Sequence, residues 1–99
     1  MEKLLIVAKA AYNGYRNEFM VENPYGYAAG IEKPISFTDF LDTEWKDSEK
    51  MKHYLFYNAN LETDPDDADA IHNAKLMYDY YLQYRHTYED WMKKEVQND

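Results

Sequence analysis

DPDDADAIHNAKLMYDYYLQYRHTYEDWMKKEVQ, residues 64–97, is the stretch whose reading decides the fold. Asp64 suits an N-cap, Pro65 suits the first helical position, and Asp66 and Asp67 complement the positive end of a helix dipole. No glycine or proline follows. At about 100° per residue, Ala70, Ile71, Ala74, Met77, Tyr78, Tyr81, Tyr84, Tyr88, Met92 and Val96 gather on one half of a helix. Asp69, His72, Asp79, Gln83, His86 and Asp90 fall opposite, as a solvated face should. The spacing therefore predicts one long amphipathic C-terminal helix. Some 30 residues at about 1.5 Å each make roughly 45 Å, whereas a domain of this size has a radius of gyration of about 13 Å. Such a helix overhangs its domain, bends, or packs on another chain. Arg85, inside the apolar stripe with Glu89 one turn on, marks where the seam becomes wetter, because a lone buried charge is costly.

Upstream, Leu4, Leu5, Ala8, Ala11, Tyr12, Tyr15 and Phe19 are spaced for a helix over Glu2 to Met20, although Lys3 to Lys9 alone also fits a strand. Gly14 weakens that helix by up to about 1 kcal/mol relative to alanine. Residues 21–35 hold Asn23, Pro24, Gly26, Gly30 and Pro34 and read as a loop, with room for a short extended piece or hairpin. Tyr25 and Tyr27 flank Gly26 and could form an exposed binding tip. Ser36 with Asp39 three residues on is an acidic variant of the capping box, starting a short helix to about Trp45. Asp47 or Ser48 starts another that ends near Asn58 to Asn60.

The fold class expected is all-α: a single domain over 1–99, of about four helices with a long last one. The alternative is α+β with a small N-terminal sheet. Leu4, Leu5, Ala8, Phe37, Phe40, Leu41, Trp45, Met51, Leu55, Ile71, Met77, Tyr78 and Tyr81 are the expected core.

The formal charge is −8, and its distribution narrows the partner. Residues 1–38 carry four acids and four bases; Asp39 to Lys50 carries five acids against two bases, and Leu61 to Ala70 five acids and no base. Such a chain repels phosphate backbones and favours basic surfaces, including those of nucleic-acid-binding proteins. Direct nucleic-acid binding is not expected, since aromatic stacking needs a basic track beside it. With no cysteine there is neither a disulfide framework nor a thiol nucleophile. The apolar run Leu4 to Ala8 is too short to span a bilayer and lacks a secretory cleavage pattern, so a cytoplasmic protein without membrane contact is expected.

Chemistry finds little support. The only serines, Ser36 and Ser48, are explained as caps. Asp64, Asp66, Asp67 and Asp69 lack the glycine turn and the ligand spread of a calcium loop, and His86 with Asp90 lacks a third ligand. His53, close in sequence to Tyr54 and Tyr57, is expected to be partly buried. No glycine-rich phosphate loop is present. No catalytic residue, metal or cofactor is expected.

What remains is a non-catalytic acidic protein-binding module. Its partner-binding candidates are Asp64, Asp66, Asp67, Asp69, Asp42, Glu44, Asp47, Glu49, Tyr25 and Tyr27. In being short, acidic, cysteine-free and rich in aromatics, the chain is similar in general character to phage and mobile-element inhibitors of restriction or CRISPR enzymes. That likeness implies a nucleic-acid mimic acting on a basic partner. The competing expectation is a self-associating structural protein, a homodimer through Tyr81, Tyr84, Arg85, Tyr88 and Met92, whose acidity serves solubility. A third is a small-ligand pocket lined by tyrosines, revealed by ligand-dependent thermal stabilisation.

Overall fold

The computed structural model describes residues 2–62 and 68–87, and these described residues form five α-helices. They are α1 (Glu2–Glu22), α2 (Pro24–Ala28), α3 (Phe37–Glu44), α4 (Ser48–Glu62) and α5 (Ala68–Tyr84), followed by a 3-10 turn at Arg85–Thr87. No strand occurs among the described residues. The all-α expectation holds, and the N-terminal sheet is not formed. Leu4, Val7, Ala8 and Ala11 are buried at helical spacing, so the segment that could also have read as a strand hides its apolar residues only as a helix.

Helix starts are set by local chemistry. Ser36 Oγ accepts from the Asp39 amide at 3.1 Å and caps α3, while Asp47 Oδ1 accepts from the Lys50 amide at 3.2 Å and caps α4. Between α1 and α3 the chain departs from expectation. Pro24 occupies the first turn of a short helix where an extended piece or hairpin was expected, because proline's fixed φ suits a helix start. Gly30 adopts φ +74° and ends this turn. The amides of Ile31 and Glu32 then both donate to the Gly26 carbonyl, at 2.9 and 3.0 Å.

The core lies between α1, α4 and α5, with α3 laid across the side of α1. Tyr12, Tyr15, Phe40 and Tyr54 form an aromatic layer with ring centroids 5.3 to 6.0 Å apart along its edges. At Gly14 α1 comes so close to α4 that an added Cβ would lie 2.0 Å from the Tyr54 carbonyl oxygen. The glycine is there for close packing, a role that its cost in helix propensity conceals. Helix α5 returns along α4, bringing Tyr78 beside Lys52 and Tyr81 beside Trp45.

Three core expectations change. Ile71 is 40% exposed, because the buried face of α5 is centred on Ala74, Met77 and Tyr81 and leaves Ile71 at its margin. Val7, Ala11 and Tyr54 join the core. So does Asn58, a polar residue buried in α4, which runs on to Glu62 instead of ending near Asn58.

Over the described residues the terminal helix is not α-helical throughout. Its α-helical part ends at Tyr84, and the carbonyl of Arg85 accepts a hydrogen bond from Trp45 Nε1 at 3.1 Å. The indole contact falls at the residue where α-helix gives way to 3-10 geometry. Arg85 is exposed, its guanidinium 5.8 Å from the Tyr81 ring centroid, so no buried charge requires a partner. The 17 residues of α5 span about 25 Å and fit inside a body measuring 38 × 34 × 21 Å. The start at Asp64 to Asp67 and the stretch from Tyr88 onward, including the Arg85–Glu89 pair and Asp90, lie outside the described residues.

Candidate functional site

The acidic edge of α3 and the start of α4 is the strongest concentration of sequence candidates in the described structure. Asp39 and Asp42, three residues apart, share one side of α3, and both are exposed. Asp47 and Glu49 are exposed at the start of α4, the next helix along the chain. Asp47 serves both as cap and as surface charge. Glu44 departs from the expected set. It is half-buried and forms an ion pair with Lys50 Nζ at 3.1 Å, so its charge is largely answered within the chain.

Below this edge the frame is tightly held. Trp45 is buried, its indole edge-on to Tyr81 at 4.8 Å. Its Nε1 donates to the Arg85 carbonyl, and its own carbonyl accepts from the Tyr81 hydroxyl. These bonds fasten the α3–α4 corner to the end of α5. Burial pushes the Tyr81 phenol up from its ordinary value, against the pull of Arg85. Thr43 Oγ1 also donates to the Asp39 carbonyl at 2.9 Å, within α3.

Of the acids in the second stretch, the structure describes the side chain of Asp69 alone. Asp69 is exposed in the first turn of α5. Twelve residues of helix, about 18 Å, divide it from Tyr81 and the Trp45 corner. Asp64, Asp66 and Asp67 lie outside the described residues.

Tyr25 and Tyr27 behave differently from each other. Tyr25 is 88% exposed, whereas Tyr27 is half-buried and meets Phe19 edge-on at 6.3 Å. The tip therefore offers one exposed ring, and Ile31, whose amide donates to the Gly26 carbonyl, is exposed as well. Of the self-association residues, Tyr81 is a correction: it is fully buried beneath Trp45 and presents nothing to a second copy. Tyr84 and Arg85 are on the surface, Tyr84 with its ring 4.6 Å from that of Tyr80. Tyr88 and Met92 lie outside the described residues.

Two surface hollows lie outside these acidic and aromatic patches. One, of about 400 Å³, follows the outer face of α4 and is lined by Glu49, Lys52, His53, Phe56 and Tyr57. His53 is exposed, contrary to expectation, and its Nε2 is hydrogen-bonded to the carboxylate of Glu18 on α1. The second hollow lies between α1 and residues 27–34 and is lined by Tyr12, Arg16 and Lys33 among others. Sequence reasoning missed it because its walls come from segments up to 22 positions apart (Tyr12 to Pro34). The neutral balance of residues 1–38 was the available signal. Among the described residues no cluster of three His, Asp or Glu is placed to hold a metal ion. No helix among them is long and apolar enough to cross a membrane.

Compared with protein-family models, curated proteins and solved structures, the chain matches none significantly.

Proposed function

We propose that the chain is a non-catalytic binding module that docks on a basic protein surface through the acidic edge formed by Asp39, Asp42, Asp47 and Glu49. One observation carries this reading: four exposed carboxylates lie on α3 and at the start of α4, and the junction of these helices is held firm by Trp45, which is bonded to the end of α5 from both its indole and its carbonyl. Charges on a fixed frame attract a complementary surface without ordering the frame on contact, which favours fast association and correct register. Asp69, and Asp64, Asp66 and Asp67 preceding it, extend the acidic character of the chain to a second region.

In its sharper form the partner's basic surface is one that binds nucleic acid, and the carboxylates stand in for phosphates. Affinity capture on immobilised chain, run at low and at high salt, tests the reading. A basic partner retained at low salt and released by high salt supports it, because contacts between exposed charges are screened. Displacement of that partner by duplex DNA supports the mimic form. Retention unaffected by salt contradicts the electrostatic basis of the contact.

A further inference from the structure

In a chain this acidic, two of the several cations that have no carboxylate partner among the described residues line the same hollow. Arg16 on α1 and Lys33 after α2 are both exposed, and neither makes an ion pair there; the pairs formed are Lys50 with Glu44 and His53 with Glu18. Arg16 and Lys33 both line the hollow between α1 and the segment following it, a cavity of about 440 Å³ whose other walls include Tyr12, Tyr27, Glu32 and Pro34. That volume falls in the range of small-molecule sites, about 300 to 1,000 Å³.

The cavity is built, not left over between mobile parts. The hydroxyl of Tyr12 donates to the Ile35 carbonyl at 2.7 Å, and the Ile35 amide donates to the Tyr15 hydroxyl at 3.0 Å. These two bonds pin the 31–35 segment to α1 and leave the Tyr12 ring as a fixed wall. The Arg16 guanidinium lies 5.9 Å from the centroid of that ring. Stacking in this way orders the group while leaving its N–H edge to meet an anion. Glu32 is the one acid in the lining. Its carboxylate packs over Gly26, 2.6 Å from where a Cβ of that residue would stand, and it forms no ion pair with Arg16 or Lys33.

We propose that this cavity binds a small aromatic anion, a ring carrying a phosphate or carboxylate group, with Arg16 and Lys33 holding the charge and Tyr12 and Tyr27 the ring. The forked guanidinium takes two anionic oxygens, the lysine supplies a point charge, and the phenol rings exclude water from the flat part of the ligand. The site is independent of the acidic edge on α3 and α4, so either stands if the other fails.

Titration of the full chain with phenyl phosphate, benzoate and inorganic phosphate, followed by NMR, tests the assignment. Phenyl phosphate or benzoate should bind saturably and shift the resonances of Tyr12, Arg16, Tyr27 and Lys33; the tighter of the two identifies the anionic group. Arg16→Gln and Lys33→Gln, both at exposed positions, should each weaken binding about tenfold, as expected for loss of one charge-assisted hydrogen bond. Absence of saturable binding by both aryl probes overturns the proposal. So does undiminished binding in both variants, or inorganic phosphate binding as tightly as the aryl probes, since the ring would then contribute nothing.

Discussion

A Cβ on Gly14 would stand 2.0 Å from the carbonyl oxygen of Tyr54, closer than any side chain can approach a backbone. Helices α1 and α4 owe their intimate contact to this missing atom. Two effects of Gly14→Ala oppose each other. Alanine favours the helix by about 0.5 to 1 kcal/mol, while overpacking a well-filled contact costs about 1 to 3 kcal/mol. The obstacle here is backbone, which cannot rotate away, so the clash wins. Gly14→Ala should lower stability by about 1 to 2 kcal/mol, measured as a reduced urea midpoint in circular dichroism.

Tyr81 and Trp45 supply a second test. The Tyr81 hydroxyl donates to the buried Trp45 carbonyl, and Tyr81→Phe keeps the ring while removing the donor. The carbonyl then loses a partner in a place water reaches poorly, a loss of about 1 to 2 kcal/mol. For a domain of this size each kcal/mol corresponds to about 4 to 8 °C in Tm. A thermal melt of Tyr81→Phe should show a drop in that range with the helical spectrum retained.

Tyrosine ionisation sets the response to alkali. Burial pushes the Tyr54 phenol up from 10.0 to about 12, helped by the negative charges of Glu44, Glu18 and Glu22. In the unfolded chain the same phenol ionises near its ordinary value, so above that pH the unfolded state gives up its proton first and is favoured. The stability tied to Tyr54 is complete below about pH 10 and is lost as pH rises towards about 12. Tyr12 and Tyr81 are raised in the same direction. Urea midpoints measured from pH 8 upward should hold steady and then fall, and Tyr54→Phe should fall less steeply than the wild type.

How much of this was legible in the sequence differs from element to element. The cap Ser36 was readable because a cap is a local event, a side chain meeting an amide three residues on, whereas Asp47 was one of two candidates, and Ser48 proves to be the first residue of α4 instead of its cap. The faces of α1 and α5 followed from periodicity, apart from Ile71 and Tyr84, whose burial depends on which neighbour the helix turns towards. The end of α5 was not readable. At that end the Arg85 carbonyl accepts a hydrogen bond from a tryptophan forty positions earlier, and no local pattern records that bond. Gly14 was legible only as a weakness, since its purpose is a property of the opposite helix. The acidic residues were all visible in the sequence, but Glu44's ion pair with Lys50 and the separation of Asp69 from the α3–α4 corner arise in three dimensions.

The acidic edge itself is most directly tested by reversing its charge. Asp39, Asp42 and Glu49 are exposed, and Asp47 is left in place because it caps α4. The triple variant Asp39→Lys, Asp42→Lys, Glu49→Lys, with its helical spectrum confirmed, is compared with wild type for capture of a salt-sensitive basic partner. Loss of each exposed charge contact removes up to about 1 kcal/mol before added repulsion, so the variant should bind at least about tenfold more weakly. Equal binding by the folded variant and the wild type would contradict the account.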